Sequence, residues 1–157
     1  MSTVRVVWGT GRGPTDVAAY DAALADAGAH NFNLVRVSSI VPADATLEVV
    51  GTAPDLGPAG SRLTVVEGHA EAAGPAQVAA GLGWSVGPGP GLLYEAAGEA
   101  APAAIAERIR TGLAAGRDLR DWTFEETDVR TVDADAEEGE YVAATVLAIL
   151  GDGDPID

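Results

Sequence analysis

The chain has 157 residues, 47% hydrophobic and 21% charged, which suits one globular domain with its own core. It carries 24 acidic residues against 9 basic ones, for a net charge of −15, and every basic residue is arginine. The absence of lysine excludes a P-loop lysine and an internal Schiff base to pyridoxal phosphate (PLP), the absence of cysteine excludes thiolate catalysis and disulfides, and no basic stripe exists to bind nucleic acid.

Residues 4–8 predict a short strand, broken by Gly9, Gly11, Gly13 and Pro14. Thr15 or Asp16 can then cap a helix. Val17, Tyr20, Leu24 and Ala27 follow at helical spacing, and Gly28 is a natural stop. Residues 33–41 read as one strand ended by Pro42. Residues 44–61, rich in Pro, Gly and Ala, predict loop around a short strand at 46–50. Further strands are expected at 62–68 and 81–86, before a turn at Gly87–Gly91. Leu92 to Glu95 predicts a strand leading to a helix over 100–115, where Ile105, Ile109 and Leu113 form an apolar stripe. A strand is expected around 122–132, and a last apolar strand at 140–150, a length that also permits a helix. The tail from Gly151 predicts fraying.

Strands and helices do not alternate as a Rossmann sheet requires, so the pattern predicts a mixed α/β sandwich without repeats or linkers. No apolar run approaches the ~18 residues of a membrane span, and the first residues lack a signal-peptide pattern. The reading is a cytoplasmic protein with no membrane partner. The lopsided acidity predicts a salty cytoplasm, where such self-repulsion is screened.

Gly9-Thr10-Gly11-Arg12-Gly13-Pro14 superficially resembles a dinucleotide fingerprint, but Pro14 occupies the third glycine position. A flexible glycine turn lining a pocket is the expectation instead. His30 and His69 are the two histidines; His69, flanked by Glu67 and Glu71, reads as surface decoration, and no metal site is expected. None of the serines sits in a Gly-x-Ser-x-Gly elbow, so a hydrolase triad has no nucleophile. Ser38-Ser39, between Val37 and Ile40, is the informative pair.

The segment Gly28-Ala29-His30-Asn31-Phe32-Asn33-Leu34-Val35-Arg36-Val37-Ser38-Ser39-Ile40-Val41-Pro42 resembles the processing segment of pyruvoyl-dependent arginine decarboxylases. Ala19-Tyr20-Asp21-Ala22-Ala23-Leu24 is similar to that family's upstream helix, and Gly91-Leu92-Leu93-Tyr94-Glu95 to its downstream strand. His30 and Ala43 depart from the family pattern, and 44–61 matches it poorly.

The resemblance implies an αββα-type sandwich with mostly antiparallel sheets, a homotrimer with sites between subunits, and self-cleavage into a β chain, 1–38, and an α chain, 39–157. It implies that the Ser39 hydroxyl attacks the Ser38 carbonyl, leaving a covalent pyruvoyl group at position 39. That ketone would form a Schiff base with arginine and take up the electrons released with CO2, giving agmatine without PLP or metal. By the same resemblance Glu95 returns a proton to the α-carbon, its pKa raised by burial, and Asp21 pairs with the substrate guanidinium. Asn33 stands six residues before Ser39, so on an unbroken strand both side chains share a face and the amide can donate to the oxyanion of processing. Val17 and Ile40 are expected to supply apolar pocket wall. Two alternatives stay open: a pyruvoyl decarboxylase of another amino acid such as histidine, and an uncleaved homologue serving as a binding module.

Overall fold

Apolar residues at alternate positions sort the strands into layers. The computed structural model describes residues 3–156. In chain order the elements are β1 (Thr3–Gly13), α1 (Asp16–Ala27), β2 (Asn33–Arg36), β3 (Ile40–Val41), β4 (Thr46–Gly51), β5 (Arg62–Ala73), β6 (Ala76–Val86), β7 (Gly91–Gly98), α2 (Pro102–Asp118), β8 (Glu126–Ala136) and β9 (Tyr141–Leu150). They build a five-stranded sheet of order β2-β5-β9-β1-β4 and a four-stranded sheet of order β3-β7-β6-β8. Among the described residues, only β1–β4 and β2–β5 pair in parallel. Between the sheets lie Val4, Val6, Val66, Val142, Val146, Leu82, Trp84 and Leu93. Val7, Leu24, Val65 and Leu147 bury α1 on the outer face of the larger sheet, and Leu92, Ile105, Ile109 and Leu113 bury α2 on the smaller. This is the mixed, mostly antiparallel αββα sandwich that was expected.

Helix α1 matches its sequence signals closely. The Thr15 hydroxyl accepts from the Ala18 N–H at 3.0 Å, and Gly28 ends the helix in the left-handed region at φ 80°. The expectation for Gly9, Gly11 and Gly13 is corrected. They form no turn and line no pocket; they continue β1, paired with β9 through Gly13↔Tyr141. Spaced by two, they present one face to α1. A Cβ on Gly11 would lie 2.5 Å from the Ala23 nitrogen and 2.6 Å from the Ala19 oxygen. Glycine is therefore required for the helix backbone to lie against the strand. Gly11→Ala should cost about 1–3 kcal/mol through overpacking, read as a fall of roughly 2–4 °C in Tm per kcal/mol in a thermal melt.

Other boundaries also move. Strands β5 and β6 run longer than 62–68 and 81–86 and meet at Gly74–Pro75, because alanine and glycine carry the ladder there. Residues 119–125 lie outside any strand, and β8 starts later than 122. The 140–150 segment is a strand, not a helix. The tail is not frayed as far as it is described. The Asp154 N–H donates to the Arg62 carbonyl at 2.9 Å, and the Arg62 N–H donates back at 2.7 Å.

Candidate active site

The segment expected as one strand over 33–41 is two, and the break falls at the serine pair. The Val37 N–H donates to the Val65 carbonyl on β5 at 2.9 Å, which keeps this end of β2 in the larger sheet. The Leu93 N–H on β7 donates to the Ser39 carbonyl at 2.7 Å, and Ile40↔Leu92 continues the pairing in the smaller sheet. The Ser38–Ser39 peptide is therefore the crossing point between the sheets, tied down by a backbone hydrogen bond on each side. Ser38 is exposed and Ser39 half-buried.

Strand β7 brings Glu95 to the same region. Leu92 and Tyr94 face α2, while Leu93 and Ala97 face the space between the sheets, and alternation puts Glu95 on that inner face. It stands two residues beyond Leu93, the partner of Ser39, or about 7 Å along the strand. Opposite it β5 carries Gly68, where an added Cβ would lie 3.2 Å from the Glu95 Cβ and 2.9 Å from the Gly81 oxygen. The missing side chain lets β5 approach β6 and β7 closely here. Burial raises the Glu95 pKa above the ordinary glutamate value, against a smaller lowering by a backbone hydrogen bond, although part of the side chain remains open to solvent.

The other predicted residues lie elsewhere in the chain. Asn33 sits at the far end of β2, where its Nδ2 donates to the Gly60 carbonyl at 2.9 Å and its N–H to the Ser61 carbonyl at 2.9 Å. With the strand broken, even spacing no longer places Asn33 on the Ser39 face. Asp21 and Val17 share the exposed side of α1, with Val17 72% exposed. Because α1 covers the outer face of the larger sheet, that sheet separates Asp21 from Glu95 within one chain. Ile40 is 40% exposed beside the serine pair. Surface hollows of about 280 and 330 Å³ are lined by residues of the 53–61 loop and its neighbours and contain none of these side chains.

His69 is not surface decoration. It stacks on Tyr20 with ring centroids 4.6 Å apart, and its Nδ1 lies 2.9 Å from Glu71. Sequence reasoning also passed over Glu67, which is buried on β5 and bonded to Tyr20, Arg36 and Thr145. The available signal was an acid in the alternation Leu63, Val65, Glu67, whose other members are core.

A family model described as pyruvoyl-dependent arginine decarboxylase matches residues 3–155. A protein of that name from Halobacterium salinarum is 56% identical, the match covering 99% of this chain and 98% of the relative. The chain belongs to the pyruvoyl-dependent arginine decarboxylase family. A family member from Pyrococcus horikoshii is 34% identical over 88% of this chain and 87% of its own, and one from Pyrococcus abyssi is 32% identical over the same shares. Membership makes the chain a carbon–carbon lyase that works through a covalent pyruvoyl group rather than PLP. The residues present fit that group. A half-buried serine stands at the head of β3, its carbonyl is anchored by Leu93, and a carboxyl of raised pKa stands on the next strand.

Proposed function

We propose that this chain cuts itself between Ser38 and Ser39 and decarboxylates arginine to agmatine with the pyruvoyl group so formed. The observation that carries this reading is the serine pair at the sheet crossing, held on both sides by backbone hydrogen bonds beside Glu95. The Ser39 hydroxyl attacks the Ser38 carbonyl, so that an ester C–O bond replaces the amide C–N bond. Removal of the Ser39 α-proton then expels the Ser38 carboxylate and leaves a dehydroalanine. Its imine tautomer takes up water and releases ammonia, which leaves the ketone. That ketone supplies the electron sink which a chain without lysine cannot offer from a side chain. Glu95 holds the proton destined for the substrate α-carbon, and its raised pKa keeps that proton available at higher pH than an ordinary glutamate would.

Asp21 is proposed to hold the guanidinium. Its exposed place on α1, across a sheet from Glu95, supports a site completed by Asp21 and Val17 of a second subunit, in keeping with the implied trimer. Ile40 supplies apolar wall beside position 39. Asn33 is proposed as the processing donor on the family resemblance. The shared name of the Halobacterium and Pyrococcus relatives favours arginine over histidine, and the intact Ser-Ser and Glu95 motifs speak against a non-catalytic binding module. The −15 charge, together with the Halobacterium relative, supports work at high salt in the cytoplasm.

Mass spectrometry of the denatured protein tests the reading. Two chains, 1–38 and 39–157, the longer beginning with a ketone, are expected; a single uncut polypeptide from a preparation that decarboxylates arginine would overturn it. Asp21→Asn should raise KM for arginine about tenfold or more, the cost of one charge-assisted contact. Its kcat should change little, which steady-state kinetics over a range of arginine concentrations will show. Asn33→Ala should slow the appearance of the two chains by about a hundredfold or more if its amide stabilises the oxyanion, and a time course on a denaturing gel measures this.

A further inference from the structure

The Glu67 side chain is fully enclosed, with 0% exposure. Tyr20 Oη and Thr145 Oγ1 each donate to its Oε2 at 2.6 Å. Arg36 closes on its Oε1 with Nε at 2.9 Å and Nη2 at 2.8 Å, and Nη2 also donates to Tyr20 Oη at 2.8 Å. A buried carboxyl is costly unless its oxygens are bonded, and here both are. The placement of the partners is what matters. Arg36 stands two residues before Ser38, and Tyr20 directly precedes Asp21. Arg36 pairs with Val65 in the parallel ladder, and Glu67 is the next residue of β5 on the same face. Tyr20 and Arg36 belong to the stretch before the cut, whereas Glu67 and Thr145 belong to the stretch after it.

We infer that Glu67 is a positioning residue for both stages of the reaction, holding the end of β2 for cleavage through Arg36 and the Asp21 helix for arginine through Tyr20. The inference rests on the proposed self-cleavage. β2 is a four-residue edge strand, so its last residues have few other restraints. Without the Arg36 clamp, the Ser38 carbonyl loses its fixed approach to the Ser39 hydroxyl. Without the Tyr20 bond, α1 keeps its apolar packing but loses a polar tie on the turn that carries Asp21. The Tyr20 phenol holds its proton far above the ordinary range, because of burial first and its bond to Glu67 second, so it stays a donor. After the cut, the same contacts join the short chain to the long one.

The experiment compares full-length wild type, Glu67→Gln and a control on the other sheet and outside the Glu67 cluster, Ser85→Ala, which removes a buried hydroxyl bonded to Thr127 at 2.8 Å and Arg117 at 3.0 Å. Cleavage is followed by mass, and KM and kcat per pyruvoyl are measured on the cleaved fraction. Glu67→Gln should slow cleavage about tenfold and raise KM about fivefold with kcat within twofold, the scale of one lost charged contact. Ser85→Ala should lower Tm and leave both readouts alone. Wild-type cleavage and KM in Glu67→Gln, with only Tm reduced, would overturn the inference. If Glu67→Gln does not fold, Arg36→Lys, whose side chain is 49% exposed in wild type, replaces it. That change loses the guanidinium fork and should slow cleavage as Glu67→Gln would; an unchanged cleavage rate overturns the inference. A wild-type chain that stays whole overturns the self-cleavage reading itself, a result distinct from a cleaved wild type with indifferent variants.

Discussion

Ser39→Ala should yield a polypeptide that stays whole and has no measurable decarboxylase activity. The substitution removes the hydroxyl proposed to attack the Ser38 carbonyl, so neither the proposed cut nor the ketone can form. Nothing else in the chain can replace the ketone, because there is no lysine to hold an aldehyde cofactor. The loss should therefore approach the full enzymatic acceleration, at least about 10⁶-fold. The fold should persist: Ser39 is half-buried and is held by its backbone carbonyl, which alanine retains. Surface-type changes of this kind shift stability by about 0.5 kcal/mol or less. Intact mass, carbonyl labelling and a thermal melt on one preparation separate loss of chemistry from loss of structure. A cleaved, active Ser39→Ala protein would move the nucleophile to another residue.

Glu95→Gln should cleave normally and yet lose about 10²–10⁴ in kcat, the usual share of general acid catalysis. Glutamine keeps the size of the side chain and its place opposite Gly68 but has no acidic proton. Burial raises the Glu95 pKa, so wild-type kcat should fall as pH rises through that raised value, and the residual kcat of the variant should lack this limb. Stability gives a second sign. A carboxyl whose pKa is higher folded than unfolded binds its proton more tightly in the fold. Its ionisation thus weakens the fold as pH climbs from the unfolded to the folded pKa. Glu95→Gln should flatten that slope, so denaturant midpoints across the acid range check the assignment independently of turnover. Equal kcat in the two proteins would remove Glu95 from proton transfer.

Local chemistry made α1 legible: Thr15, Gly28 and the spacing of apolar residues are read within a few positions of one another. β9 was legible as a continuous apolar run with clear ends, although its length left a helix open. Glycine and alanine misled where they form strands. Gly9, Gly11 and Gly13 look like breakers until a helix backbone is placed against them, and that contact depends on how α1 folds back onto β1 rather than on the glycines themselves. Alanines extending β5 and β6 carry weak strand preference and were lost for the same reason. Val37-Ser38-Ser39-Ile40 reads as continuous strand because it is flanked by β-branched residues. The break depends on which sheet each half joins, and β5 and β7 lie far along the chain. In the candidate site, the proposed roles of Ser38, Ser39 and Glu95 came from motif. Glu67 was not legible, since nothing near it in sequence announces that Tyr20, Arg36 and Thr145 converge there.

The strand order also constrains what the proposed cut would leave behind. β1 lies between β9 and β4 and β2 lies along β5, so the shorter fragment is threaded through the sheet of the longer one. Dilution alone has no easy route to separate them, because release would expose Val4, Val6 and Val7 and unzip three ladders at once. The severed molecule should melt as a single cooperative unit, like a protein nicked in a loop. Fragments made separately should find each other only by folding together, never by docking as finished pieces.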